Sequence, residues 1–199
     1  IGVIDLPTFY LDFDARSRGE ADYKSTTRDV RRIIYELKSE NVDGIVIDLR
    51  GNGGGSLSEA TDLTGLFIKS GPIVQVKGTR GDIDINEDED ESVIYEGPLA
   101  VLVDRFSASA SEIFAGAIQD YGRGIIIGEP TFGKGTVQTL VDLNRFDRGE
   151  DNLGELKVTI AQFFRVNGDS TQHRGVRPDI VFPTVIEGDE QGERSLYNS

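Results

Sequence analysis

The sequence predicts an α/β fold, and two features of its pattern support this class. Short apolar runs typical of buried strands alternate along the first 130 residues with segments that have the apolar spacing of helices. This order implies parallel strands joined by right-handed crossovers. The last third of the chain instead contains two longer segments, 136–143 and 156–166, that we interpret as antiparallel strands.

The predicted elements follow one another with few interruptions. Strands are predicted, in chain order, at 2–6, 44–49, 72–76, 98–103, 124–128, 136–143, 156–166 and 175–182, the last as an edge strand. Helices are predicted at 25–40, at 56–68 and from about Ser109 to Asp120.

Local chemistry supports the individual elements. Pro7 limits the first strand, since proline cannot donate to a sheet ladder. Ser25 is a suitable N-cap for a helix whose apolar residues recur at helical spacing. The continuous apolar run at 44–49 suits a strand that is buried on both faces.

Polar segments predict loops and a tail. Residues 14–24 are polar, and residues 82–91 contain seven acidic side chains, so we expect a solvated, self-repelling loop in the second segment rather than a calcium loop. From about residue 184 we expect a frayed polar tail, so the predicted catalytic core covers 1–183 and the tail 184–199.

Composition excludes several classes of function. The chain has 199 residues, enough for one domain with a substantial core. A net charge of −14 argues against nucleic-acid binding, and no apolar run reaches the ~18 residues of a membrane span. The chain has no cysteine, which excludes disulfides and thiolate metal sites, and no methionine, so we expect a fragment of a longer protein.

A serine-rich turn and a lysine are the first candidates for chemistry. Ser107, Ser109 and Ser111 lie where a buried strand passes into a helix, and Lys134 follows between two glycines. With a single histidine in the chain, a lysine of depressed pKa is the available base for a serine nucleophile. Alternatively, the serines cap the helix and the lysine is an exposed loop residue, and spacing alone does not select one serine.

Other polar segments could complete such a site. Gln138 lies four residues after Lys134, which in a strand places both side chains on one face, although it could also be a solvent-facing residue. The loop at 50–55 carries four glycines between a strand and a helix. It lacks the phosphate-loop pattern, so an oxyanion hole formed with the Ala110 N–H is the better interpretation. We expect a structural or surface position for His173, and capping or an ion pair with Arg123 for Asp120.

Several segments resemble the tail-specific, or carboxyl-terminal processing, proteases of bacteria and chloroplasts. The resemblance covers nearly the whole chain in order, at residues 47–55, 65–76, 101–114, 119–123, 128–138 and 166–172. It is strongest toward the periplasmic group of this family. The fold that it implies is a ClpP/crotonase-like core of stacked βαβ units with a mixed sheet.

The resemblance also implies roles for particular residues. It assigns the nucleophile to Ser109, the base to Lys134 and a supporting role to Gln138. The oxyanion hole would use the N–H of Gly54 or Gly55 together with that of Ala110, and Asp120 would have a structural role. The implied activity is that of a serine endopeptidase that needs no cofactor.

The resemblance extends to partners and location. It implies protein substrates with apolar, unstructured C-termini, a possible envelope adaptor protein, and a periplasmic or cell-envelope location. The PDZ-type domain and helical flanks of the family are not found in this sequence. Two alternatives keep the fold: a non-catalytic binding module, like the retinoid-binding relatives of this core, and a crotonase-like acyl-CoA enzyme. Neither would need Ser109, Lys134 and Gln138 together.

Overall fold

A computed structural model of the chain describes residues 1–146, 152–183 and 192–197. It has nine strands among these residues, and the predicted α/β class is confirmed. The strands are β1 Gly2–Asp5, β2 Ile45–Asp48, β3 Gly71–Gly78, β4 Ile83–Asp88, β5 Leu99–Val103, β6 Ile125–Gly128, β7 Thr136–Asp142, β8 Glu155–Phe164 and β9 Ile180–Val181.

The strands form two sheets. One is parallel, in the order β1-β2-β5-β6-β9, and the other is antiparallel, in the order β4-β3-β8-β7. The predicted parallel and antiparallel strands therefore both exist, but they lie in separate sheets. The carboxyl ends of β2 and β5 are neighbours, since Asp48 pairs with Leu102. Loops that follow these two strands consequently meet at one edge of the sheet.

Four α-helices connect the strands within the described ranges. They are α1 Phe13–Ser17, α2 Thr26–Ser39, α3 Leu57–Gly65 and α4 Ala110–Asp120. Ser25 caps α2 by accepting a hydrogen bond from the Arg28 N–H, as its residue type predicted. Ser56 caps α3 in the same way, through the Glu59 N–H.

Two predicted loops contain regular structure. The polar segment at 14–24 begins within α1, which Asp12 caps through the Ala15 N–H. The prediction of a loop at 82–91 is wrong for most of this segment, because the segment contains β4, which pairs antiparallel with β3. Ile83 and Ile85 alternate there with polar residues, and like charges are tolerated on a solvated edge strand.

Helix α4 lies at the centre of the molecule. Residues 110–118 are all buried, and the helix packs against α3, β3 and β6. Its Phe114 ring lies 6.3 Å from the Phe9 ring and 6.0 Å from the Phe67 ring. The first turn of α4 is therefore held in a rigid position by the core.

A short segment near the C-terminus contacts the rest of the protein. Residues 193–195 form a 3-10 turn, and Glu193 is only 8% exposed. Glu193 thus packs against the protein, whereas residues 194–197 are exposed. Residues 184–191 lie outside the described part of the chain, so the core boundary at 183 stays a prediction. In the described ranges, no helix has both the length and the apolar character that crossing a membrane requires.

Candidate active site

Ser109 lies at a strained turn between β5 and α4. Its φ is 58° and its ψ is −113°, a backbone conformation that side-chain-bearing residues rarely adopt. A nucleophilic serine on a sharp turn between a strand and a helix is a recurrent arrangement in hydrolases, because the turn exposes the hydroxyl. The strain therefore points to a functional serine.

The three serines of the turn have different environments. The Ser107 hydroxyl donates to the Leu49 carbonyl at 2.8 Å, and the Ser111 hydroxyl donates to the Asn52 carbonyl at 2.9 Å. Both residues are fully buried. Ser109 instead lines a cavity, so it is the serine of the three that a substrate could reach.

This cavity has a volume of about 270 Å³ and lies between α4 and the antiparallel sheet. It brings together most of the residues that the sequence singled out. Its lining residues are Gly53, Gly55, Leu57, Ser109, Ala110, Ile113, Lys134, Thr136, Val137, Gln138, Lys157 and Phe163. Among the described residues, no hydrogen bond joins the Ser109 hydroxyl to the Lys134 ammonium.

Lys134 is half-buried in the wall of the cavity. Burial lowers the pKa of its ammonium, because a desolvated cation is disfavoured, and the positive charge of Lys157 lowers this pKa further. Glu193 and Glu112 act in the opposite direction. The net lowering moves the Lys134 pKa toward the range in which a lysine can act as a general base.

Glu112 connects the serine turn, residues 107–111, to the lysine loop, residues 131–135. One carboxylate oxygen accepts the Ser109 N–H at 2.8 Å and the Lys134 N–H at 2.9 Å. The other oxygen accepts the Thr131 hydroxyl at 2.6 Å and the Gly133 N–H at 2.8 Å. The backbones of both candidate catalytic residues thus bond to one buried carboxylate.

The environment of Glu112 sets its protonation. Burial raises its pKa to about 7, while the hydrogen bonds from Thr131 and the three amides act in the opposite direction. Sequence reasoning missed this residue. The signal was present, since Ser109 and Glu112 have the Ser-x-x-Glu spacing of a helix capping box.

Gln138 lines the cavity, but not because of the strand alternation that was predicted. Lys134 precedes β7, and the strand has an irregularity between Val137 and Gln138, so simple alternation over four strand residues does not apply. Gln138 is exposed, and its side-chain amide donates to the Thr159 hydroxyl at 3.4 Å. Lys134 and Gln138 nevertheless line the same cavity.

The backbone N–H groups of the three predicted oxyanion donors differ in their hydrogen bonding. The Gly54 N–H already donates to the Asn52 side-chain oxygen at 2.8 Å. In the described ranges, the Gly55 and Ala110 N–H groups make no hydrogen bond, and both residues line the cavity. A Cβ on Gly54 would lie 2.9 Å from the Ser109 Cβ, so this glycine permits the loop to approach the serine turn.

Asp120 lies at the other end of α4, away from the cavity. It forms a two-pronged ion pair with Arg165, at 3.0 and 2.7 Å, and accepts the Asn167 amide at 3.1 Å. The predicted ion pair between Asp120 and Arg123 was wrong. That guanidinium instead donates to the Phe67, Tyr95 and Gly97 carbonyls, and so it anchors other loops.

The remaining candidates have no place in the cavity wall. The His173 backbone N–H donates to the Gly133 carbonyl at 2.8 Å, so this residue supports the lysine loop through its main chain. In the part of the chain that the structure describes, no group of three or more His, Cys, Asp or Glu side chains is arranged to hold a metal ion.

Comparison with known proteins identifies the class of protein that has this fold as a class of peptidases. The family described as Peptidase family S41 matches residues 1–182, so the chain belongs to this family. The predicted family resemblance is thereby confirmed.

Three similar proteins illustrate the relationship. The tail-specific protease of Haemophilus influenzae is 47% identical over all of this chain and 27% of its own length. The chloroplastic C-terminal processing peptidase of Tetradesmus obliquus is 38% identical over 82% of this chain and 35% of its own length. The solved photosystem II D1 C-terminal processing protease superimposes with a TM-score of 0.74 at 33% identity, covering 99% of this chain and 46% of that chain. The present chain thus spans about a quarter to a half of the length of these relatives.

Proposed function

We propose that this chain is the catalytic core of a serine endopeptidase that works by acyl transfer. Neutral Lys134 removes the Ser109 hydroxyl proton while the Ser109 oxygen attacks a peptide carbonyl. The Gly55 and Ala110 N–H groups stabilise the resulting oxyanion. Lys134 then protonates the leaving amine, and water releases the acyl group from Ser109.

One observation carries this proposal: Ser109, at a strained turn, shares a cavity with Lys134, whose pKa is lowered mainly by burial. Glu112 supports the pair, because one of its oxygens accepts both backbone N–H groups. We infer that Gln138 orients the lysine from the same wall. Asp120 has a structural role, since its carboxylate is paired with Arg165.

The substrates we propose are proteins with apolar, unstructured C-terminal tails. The name of one relative, a tail-specific protease, supports selection by the tail. Leu57, Ile113 and Phe163 give the cavity an apolar wall suited to an apolar side chain beside the scissile bond. A cell-envelope location and an adaptor protein belong to the same proposal, and no cofactor takes part.

The experiment is hydrolysis of an unstructured peptide with an apolar C-terminus, followed by mass spectrometry. We expect Ser109→Ala and Lys134→Ala to reduce hydrolysis at least about 100-fold, since each removes a group that acts in the chemical step. Ser39→Ala and Lys77→Ala, which change exposed residues outside the cavity, serve as matched controls. Hydrolysis at the unmodified rate by either cavity variant would contradict the proposal.

A further inference from the structure

The C-terminal turn, formed by residues 192–195, lies directly against the loop that carries Lys134. The Glu193 N–H donates to the Phe132 carbonyl at 2.9 Å. A Cβ on Gly192 would lie 2.9 Å from the same carbonyl oxygen, so the two backbones are closely packed. The lysine loop is therefore covered on one side by residues near the end of the chain.

Gln172 connects this turn to the other side of Lys134. Its side-chain amide donates to the Glu193 carboxylate at 3.2 Å, and its side-chain oxygen accepts the Gly135 N–H at 2.6 Å. Phe132 and Gly135 flank the lysine closely in sequence, and both are held by this arrangement. Glu193 as a whole residue is 8% exposed, so it packs against the protein.

Three charged groups act on Lys134 from three different elements. Lys157 belongs to β8, Glu112 to α4 and Glu193 to the C-terminal turn. Among the described residues, the Glu112 oxygens accept four hydrogen bonds, whereas the Glu193 carboxylate accepts one, from the Gln172 side-chain amide. Glu193 is therefore the acidic group here that can be neutralised without removing the bonds of the serine turn.

We propose that Glu193 is a positioning residue of the Ser109–Lys134 site: it holds the lysine loop through Gln172 and provides the negative charge that opposes Lys157. This inference rests on the proposed function, because it assigns to the turn an effect on the proposed base. It also gives the C-terminal turn a role that neither sequence pattern nor cavity lining indicates.

The first test is an NMR titration of the Lys134 side chain in the intact chain. Glu193→Gln removes a charge that favours the ammonium form, so the titration midpoint of Lys134 moves to lower pH. Lys157→Gln removes a like charge and moves the midpoint to higher pH. Arg194→Gln changes an exposed charge in the same turn, and Lys77→Gln changes an exposed charge on β3 outside the cavity; neither moves it. A Lys134 midpoint that stays in place or rises in Glu193→Gln would overturn the proposal.

The second test addresses position rather than charge. Glu193→Ala removes the acceptor for Gln172, so the Gly135 N–H, which donates to Gln172, exchanges faster with solvent deuterium. Glu193→Gln keeps an acceptor oxygen, and exchange at Gly135 stays near its original rate. Equal exchange at Gly135 in the original chain and Glu193→Ala would contradict the positioning role.

Labelling of Ser109 by a fluorophosphonate separates this inference from the proposed function. If Ser109 is labelled but neither Glu193 variant changes the two measurements, the inference fails and the proposed function stands. If the Lys134 midpoint and Gly135 exchange change as expected but Ser109 is not labelled, the positioning effect stands and the proposed function fails. At a fixed pH below the Lys134 midpoint, we expect faster labelling in Glu193→Gln and slower labelling in Lys157→Gln.

Discussion

Glu112 shows, at the scale of single residues, how the site is held together. It is fully buried, and its two oxygens accept hydrogen bonds from the serine turn and from the lysine loop. Two chain segments about 25 residues apart thus share one acceptor group. The fixed geometry of Ser109 and Lys134 follows from this contact as much as from the helix itself.

Glu112→Gln should therefore destabilise the protein although the side chain keeps its size. Its new amide group would face N–H donors with no acceptor available, at a cost of about 3 kcal/mol for two unsatisfied bonds. Chemical denaturation measures this loss. An unchanged free energy of unfolding would contradict the role assigned to Glu112.

The pH dependence of stability provides a second measurement on Glu112. Burial raises its folded-state pKa from 4.5 to about 7, so the protonated form is favoured by folding. This contribution to stability is fully present below pH 4.5 and is lost as the pH rises through about 7. We expect Glu112→Gln to lack this decline, and an equally steep decline in the variant would assign it to other groups.

Gly54 allows a second prediction about single residues. Its φ is +101°, and a Cβ there would lie 2.7 Å from the Ala108 carbonyl oxygen. Gly54→Ala should cost at least about 2 kcal/mol of unfolding free energy, from strain and displacement of the serine turn. Gly53→Ala is the matched control, since a Cβ there meets nothing within 4 Å, and it should change stability by less than about 0.5 kcal/mol. Equal stabilities for the two variants would contradict this explanation.

At the scale of elements, helix α4 has a different role at each end. The residue that precedes its first turn, Ser109, is the candidate nucleophile, and its last residue, Asp120, pairs with Arg165 beyond β8. The ion pair ties the end of the helix to the antiparallel sheet, which also forms a wall of the cavity. Asp120 thus supports the fold from a distance.

Asp120→Ala should lower the free energy of unfolding by about 3 kcal/mol, because it leaves the largely buried Arg165 charge unpaired. The side chains of Arg165 and Asp120 are 15% and 11% exposed. Glu20→Gln, which removes an exposed pair with Arg18, should cost less than about 0.5 kcal/mol. If both substitutions had the same effect on thermal unfolding, the structural role of Asp120 would be wrong.

Local signals predicted many elements of this fold. The capping residue Ser25 and apolar periodicity located α2 within a few residues, and the helix predicted at 56–68 corresponds to α3. Continuous apolar runs identified β2 and β5. Strand β4 was missed because the seven acidic residues at 82–91 indicate a loop. Its formation depends on pairing with β3, which the local sequence does not reveal. Helix α1 is short, and its five residues give little periodicity to detect.

The site was only partly predictable for the same physical reason. Ser109, Lys134 and Gln138 were singled out by residue type, spacing and family resemblance, and they line one cavity. The carboxylate of Glu112, the use of the Gly54 N–H by Asn52 and the Arg165 partner of Asp120 depend on contacts between distant segments. Such contacts have no signature in one sequence.

At the scale of the whole molecule, the antiparallel sheet has two unlike faces. Phe163 points into the core and the cavity wall and is 1% exposed. Ile160 on the same strand is 44% exposed, and Ile83, Ile85 and Leu156 are exposed as well. One face of the sheet therefore stabilises the fold, while the other contributes little burial.

Two substitutions on β8 test this division. Phe163→Ala should cost about 3–5 kcal/mol, as expected for a large side chain removed from a core. Ile160→Ala should cost less than about 1 kcal/mol, because much of that side chain already contacts water. Denaturant titration of both variants measures the difference, and similar losses for the two would contradict the assigned faces.

The most direct test of the central claim is the pH dependence of covalent labelling at Ser109 by a serine-directed probe, with the labelled residue identified by peptide mass spectrometry. We predict labelling at Ser109 alone, with a rate that rises through the lowered pKa of Lys134. In Lys134→Gln the rate should fall at least about 100-fold, because the general base is gone. Labelling of Ser107 or Ser111, or an unchanged rate in Lys134→Gln, would contradict the assignment of Ser109 as nucleophile and Lys134 as base.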